Sequence, residues 1–90
     1  MSLGSVGQTI AAKLTQRFVP AHLEVIDESH QHHGHSGARP GGESHFRVRI
    51  VAESFRGKSR VERHRMVNET LAEELKERVH ALAIEAGAPE

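Results

Sequence analysis

The chain has 90 residues, enough for one small domain. It carries 12 basic and 12 acidic residues, a formal net charge of zero, with 37% hydrophobic and 27% charged residues; this is ordinary for a soluble domain, and the balance argues against a dedicated nucleic-acid binder. It has no cysteine, which excludes disulfides and thiolate metal ligands from this chain itself, and no apolar run nears the roughly 18 residues of a membrane span.

Ser5-Val6-Gly7-Gln8 reads as a capping box that opens a helix. Val6, Ile10, Leu14 and Phe18 then recur at helical spacing, and Pro20 ends the helix. Leu23, Val25 and Ile26 make a short strand that closes at Asp27-Glu28-Ser29. Residues 30–44 are too polar and too rich in glycine for an element, and a loop of that length in so small a domain is usually functional or disordered. Residues 45–53 alternate: Phe46, Val48, Ile50 and Ala52 take one face, while His45, Arg47, Arg49, Val51 and Glu53 take the other. That is a half-buried strand with an arginine-bearing outer side.

Gly57 breaks the chain, with room for a short helical turn between Phe55 and Lys58. Ser59-Arg60-Val61-Glu62 is a second capping box, and Val61, His64, Val67, Asn68, Leu71 and Leu75 follow at helical spacing. Residues 79–86 read as a last strand, with His80, Leu82 and Ile84 on one face and Ala81 and Ala83 on the other. The expected architecture is α+β in the order α-β-β-(α)-α-β: a three-stranded mixed sheet with helices packed on one face. A single domain is expected over residues 5–86, with residues 1–4 and 87–90 as flexible termini. Met1-Ser2-Leu3 reads as an expression remnant. No basic region followed by an apolar one opens the chain, so no signal peptide is expected and the location is expected to be cytoplasmic.

Three features carry chemistry. First, His30, His32, His33 and His35 fall within six residues. Neutral imidazoles ligate zinc, copper, nickel and iron, and a flexible chain with this spacing gathers two of them on one ion; a solvated polar loop with incidental metal affinity is the plainer alternative. Second, His80 is a lone histidine in a strand beside Leu82 and Ile84, which reads as a packed, hydrogen-bonded core residue. Third, residues 47–65 hold Arg47, Arg49, Arg56, Lys58, Arg60, Arg63 and Arg65 against Glu53 and Glu62, a net +5, so the remainder carries −5. Arg60, Arg63 and Arg65 crowd a helix start while Glu73, Glu74 and Glu77 sit at its end, the reverse of what the helix dipole prefers. A local rule broken in this way points to nucleic-acid phosphate, an acidic partner surface, or simply a solvated basic face. Enzyme chemistry is not expected. There is no HExxH, no cysteine nucleophile and no nucleophile elbow, and Ala52 stands where a phosphate loop ending in Gly57-Lys58-Ser59 would need glycine.

Residues 55–68, Phe55-Arg56-Gly57-Lys58-Ser59-Arg60-Val61-Glu62-Arg63-His64-Arg65-Met66-Val67-Asn68, resemble the signature of the BolA family. Leu23-Glu24-Val25-Ile26-Asp27-Glu28-Ser29, Glu43-Ser44-His45-Phe46-Arg47-Val48 and Val79-His80-Ala81-Leu82-Ala83-Ile84 extend the resemblance to about residues 8–86. It implies a fold similar to the type II KH domain. It also implies a 2Fe-2S cluster shared with a monothiol glutaredoxin and glutathione, in iron–sulfur trafficking or iron/redox regulation, with none tightly held by the isolated chain. The implied ligands are His80 and a histidine of the 30–44 loop. His35 is the nearest by alignment, and His33, His32 and His30 are alternates. Each iron of such a cluster needs two protein or thiol ligands, so the thiolates must come from the partner and glutathione. The family also includes DNA-binding transcriptional regulators; there Arg56, Lys58, Arg60, Arg63 and Arg65, with Arg47 and Arg49, would contact phosphates. Gly57, Ser59 and His64 belong to the motif without an assigned role, a structural one being favoured for His64. No membrane partner is implied, and a monomer is expected.

Overall fold

The computed structural model describes residues 4–29 and 44–90. The histidine-bearing stretch with His30, His32, His33 and His35 lies outside the described residues. Helix α1 is Ser5–Phe18, strand β1 His22–Asp27 and strand β2 His45–Val51. A 3-10 turn, Glu53–Phe55, leads to helices α2, Arg60–Thr70, and α3, Ala72–Glu77, and strand β3 is Ala81–Gly87. The strands stand in the order β1-β2-β3, with β1 antiparallel and β3 parallel to β2. A parallel neighbour requires a crossover of a dozen or more residues, which the turn, α2 and α3 supply. The sheet is mixed and three-stranded, as the sequence predicts.

Register aligns apolar residues into rows across the sheet. Leu23, Ile50 and Ala86 form one, and Val25, Val48 and Ile84 another. Helices α1 and α2 cover this face. Val6, Ile10, Leu14 and Phe18 of α1 and Val67 of α2 are buried against it, with Leu71 between the two later helices. Burying each side chain of this size contributes about 1.5–3 kcal/mol. Glu24, Arg49 and Glu85 form a row on the other face, which none of the described helices covers.

Several local expectations are corrected. Residue Ser5 does not cap α1: Gly4 is the N-cap, without a side-chain cap bond, and its carbonyl accepts from the Gln8 amide at 2.9 Å. Ser5 instead offers its carbonyl to Thr9 Oγ1 at 2.9 Å. Val19 ends the helix with φ of 44°, a left-handed backbone uncommon for a β-branched residue, just before Pro20. The single long helix divides at Leu71, where the backbone departs from helical angles. Thr70 Oγ1 donates to the Met66 carbonyl at 2.8 Å, a back-bond of the kind that bends helices, while the Leu71 amide still reaches the Val67 carbonyl at 3.1 Å. The face expected to continue through Val61, His64 and Asn68 does not meet the core. Val61 is 64% exposed, and only Val67 and Leu71 of that series are buried. β3 begins at Ala81, so His80 lies just before the strand, and its side chain is exposed.

The second capping box forms as expected. Ser59 Oγ accepts from the Glu62 amide at 3.1 Å, and Glu62 Oε1 accepts from the Ser59 amide at 3.0 Å. The Ser59 backbone N–H, foremost, holds the Glu62 carboxyl below the usual carboxylate range. Ser59→Ala is expected to cost about 1 kcal/mol, read as a lower urea midpoint at unchanged slope.

Candidate functional site

Two regions carry the chemistry. One is the end of the sheet where residues 28–29 leave β1 and residue 44 enters β2. The Glu28 amide donates to the His45 carbonyl at 2.8 Å. Ser29 and Ser44 are both buried, at 4% and 0% exposure, and their hydroxyl oxygens lie 3.4 Å apart. Ser29 Oγ accepts from the Ser44 amide at 2.9 Å and from the His45 amide at 3.1 Å. The Ser44 carbonyl accepts from the His80 amide at 2.7 Å. The residues that flank positions 30–43 are thus stapled together, and the backbone of His80 is stapled to them.

Parallel pairing sets His45 opposite Ala81, the residue after His80. The His45 and His80 rings come to 6.2 Å between centroids, tilted by 34°. His45 and the serine pair were not legible as site residues. His45 read as one more outward residue of an alternating strand, and Ser29 and Ser44 as loop punctuation. Their available signal was position alone: each flanks the histidine-rich stretch. As for a metal centre, the described residues hold no group of three or more histidine or carboxylate side chains placed to bind one ion. The exposed His80 imidazole is one donor, and the chain adds no cysteine.

The second region is the basic segment, and the structure sorts its seven cations into unlike roles. Arg47 is bound on both sides, to Glu28 at 2.9 Å and Glu85 at 3.0 Å. Arg49 reaches Glu85 at 3.3 Å and Glu24 at 3.5 Å. Hydrogen bonds from Arg47 and then Arg49 hold the Glu85 carboxyl below its ordinary range, and those from His22 and Arg49 do the same for Glu24. The open sheet face is therefore a ladder of paired charges rather than a cationic surface. Arg56 is bound to Glu53, which it holds below the usual carboxylate range, and to the Pro89 carbonyl at 2.7 Å. Arg63 is a clamp: its Nε donates to the Lys58 carbonyl at 2.9 Å and its Nη1 to the Ala86 carbonyl at 3.1 Å, fixing the start of α2 to β3. Lys58, Arg60 and Arg65 remain exposed without an ion pair among the described residues. Arg60 and half-buried His64 are shared by two clefts, one running along α2 past Val61, Arg65 and Asn68, the other toward Ile84 and Ala86 of β3. Gly57 has φ of 76°, which explains glycine there by backbone conformation, since a Cβ would meet nothing. The inverted charge order along the helix is eased too, because Glu74 and Glu73 pair with Lys13 of α1 at 2.8 and 3.6 Å.

Among the described residues no helix is long and apolar enough to cross a membrane. The family model for BolA-like protein matches residues 14–90. An uncharacterized protein in the cobS 5′ region of Sinorhizobium sp. is 55% identical over 94% of this chain and 92% of its own length. The DNA-binding transcriptional regulator BolA of Escherichia coli K12 is 46% identical over 88% of this chain and 71% of its own. The solved BolA domain of SufE1 from Arabidopsis thaliana superposes with a TM-score of 0.88 at 48% identity, covering 98% of this chain and 96% of that one. The chain spans only 25% of the full SufE-like protein 1, chloroplastic/mitochondrial, of that plant, at 46% identity.

Proposed function

The chain belongs to the BolA-like family, and on that premise we propose that it is a non-enzymatic adaptor. It pairs with a monothiol glutaredoxin, and the two share a glutathione-ligated 2Fe-2S cluster. His80 is this chain's anchoring ligand, and a histidine of the 30–43 stretch, His35 first among them, is the second. The observation that carries this reading is the setting of His80. Its imidazole is exposed, while its backbone is tied by a 2.7 Å bond to the Ser44 carbonyl at the stapled ends of the histidine-rich stretch. A ligand on a rigid base loses little entropy on binding. The donor set fits a shared cluster, because this chain offers imidazoles and the partner side would supply the thiolates. Such a cluster, with imidazole replacing thiolate on one iron, would have a raised reduction potential, as Rieske centres do.

Anaerobic reconstitution with a monothiol glutaredoxin and glutathione tests the proposal. The expected result is a heterocomplex whose visible and EPR spectra differ from those of the glutaredoxin alone. Spectra identical to the glutaredoxin's own in every mixture would refute it.

A second reading, a DNA-binding transcriptional regulator, draws support from the name of the Escherichia coli relative and from Lys58, Arg60 and Arg65, the exposed cations of the segment with no ion pair among the described residues. Three phosphate contacts give log K against log salt a slope of about −3. On this reading, replacing all three by alanine flattens the slope in a fluorescence-anisotropy series, while Arg47→Ala leaves it nearly unchanged. A flat response in the wild type removes the reading.

A further inference from the structure

The two outer edges of the sheet are unlike. β1 carries His22, Glu24 and Asp27, whereas β3 carries one charged residue, Glu85, which Arg47 and Arg49 already bind. Natural sheets guard an open edge with charge, because its unpaired peptide groups are a template for another strand. The bonds to β2 fix which groups of β3 those are. The Ala81 amide donates to the Ser44 carbonyl at 3.3 Å, and the Gly87 carbonyl accepts from the Ala52 amide at 2.9 Å. Residues that turn both backbone groups to the neighbouring strand alternate along a strand. Ala81, Ala83, Glu85 and Gly87 therefore face β2, while Leu82, Ile84 and Ala86 face outward. Arg63 takes the Ala86 carbonyl at 3.1 Å. The outward N–H and C=O groups of Leu82 and Ile84 have no partner among the described residues. This edge opens into a cleft of about 580 Å³, with Lys58, Arg60, Arg63 and His64 on one side and Ile84 and Ala86 on the other.

We propose that the outer edge of β3 is a docking surface for an extended acidic peptide, which adds a fourth strand beside Leu82 and Ile84. A peptide strand presents a donor and an acceptor to its neighbour at every second residue, a repeat of roughly 7 Å, which is the spacing from Leu82 to Ile84. A nucleic-acid backbone has phosphates to offer the cations but no such alternating donors, so the peptide fits the whole surface. In strand addition the main chain gives affinity and the alternate side chains give specificity. One set of side chains lies on the helix side, toward Lys58 and Arg60, both exposed and without an ion pair among the described residues; that set favours carboxylates. The other set lies on the open face beside Ala83 and Glu85 and favours uncharged residues, since a further carboxylate there would meet Glu85. Arg63, by holding the Ala86 carbonyl, ends the pairing after Ile84 and so sets its register.

The test uses the full chain, 15N-labelled, and a blocked, fluorescein-labelled heptapeptide of alternating glutamate and valine as the probe. Anisotropy is expected to show binding, and the Leu82 and Ile84 amides to become protected from hydrogen exchange when the peptide is present. Lys58→Glu combined with Arg60→Glu is expected to weaken binding at least about 10-fold, because like charges then meet. N-methylating one alternate set of peptide residues removes the N–H groups that face β3 and is expected to abolish binding; N-methylating the other set is expected to be tolerated. No binding at millimolar peptide, equal loss from both methylated sets, or Leu82 and Ile84 amides that stay unprotected in the bound chain overturns the proposal. Single-stranded oligothymidylate is the second probe. Its binding with those amides still exchanging freely, undisturbed by the peptide, assigns the cleft to nucleic acid and likewise overturns the proposal. If the double variant does not fold, the two methylated peptides decide the matter on the wild type. No glutaredoxin or cluster enters these measurements, so their failure is separate from failure of the adaptor reading.

Discussion

Replacing His80 with alanine is expected to return the spectrum of the chain–glutaredoxin–glutathione mixture to that of the glutaredoxin by itself. The loss in cluster retention should be at least about 100-fold, beyond the 10- to 100-fold that removal of an outer partner costs. The fold should not follow. The His80 side chain is exposed, and the bond from the His80 amide to the Ser44 carbonyl is made by the backbone and survives the substitution. Surface changes of this kind stay within about 0.5 kcal/mol, so the urea midpoint of the isolated chain should hardly move. His64→Ala is the internal control. It alters the other histidine of the motif, on α2, and should leave the heterocomplex spectrum intact. A distinctive spectrum that persists in His80→Ala would remove His80 from the ligand set.

Phe55→Ala should have the largest effect on stability. Phe55 sits on the 3-10 turn with no exposed surface, and its ring meets that of Phe18 at 4.8 Å between centroids. The contact closes the corner where β2 leaves the sheet against the end of α1. Truncating a buried phenylalanine costs about 3–5 kcal/mol, part transfer energy and part cavity. A domain of this size has a total of roughly 5–15 kcal/mol, and small domains tend toward the lower end. The melting temperature should fall by more than about 10 °C, at some 4–8 °C per kcal/mol, with Phe55→Leu losing much less. A loss below about 1 kcal/mol would mean that the corner repacks.

Local physics was legible in the residues themselves. The alternation of Phe46, Val48 and Ile50 put that strand's faces the right way round, since a pleated strand has a period of two. Ser59 and Glu62 cap α2 as their spacing demands, and the helix before Pro20 ends at Phe18 because proline cannot continue it. The mixed sheet followed from the order of the elements. Where local cues competed, the sequence misled. Val61, His64 and Asn68 extended a helical series, yet only Val67 and Leu71 of its middle are buried, because a short helix over a three-stranded sheet buries one narrow stripe.

Tertiary structure decided which polar residues do what. Arg47 and Arg49 looked like part of one basic surface; pairing with Glu24 of β1, Glu28 just past it and Glu85 of β3 neutralises them. Arg63 looked like its neighbours and became a clamp on the Ala86 carbonyl, 23 residues away. Ser29 and Ser44, 15 residues apart, became one hydrogen-bonded unit, and strand register brought His45 beside His80. Thus the sequence by itself determined the strands, the first helix and the order of the elements, because periodicity, caps and breakers act over a few residues, while His80 entered as a candidate ligand through the family resemblance. The division of its charges, serines and histidines into paired, clamping and exposed groups needed the folded chain, because those partners meet only through sheet register.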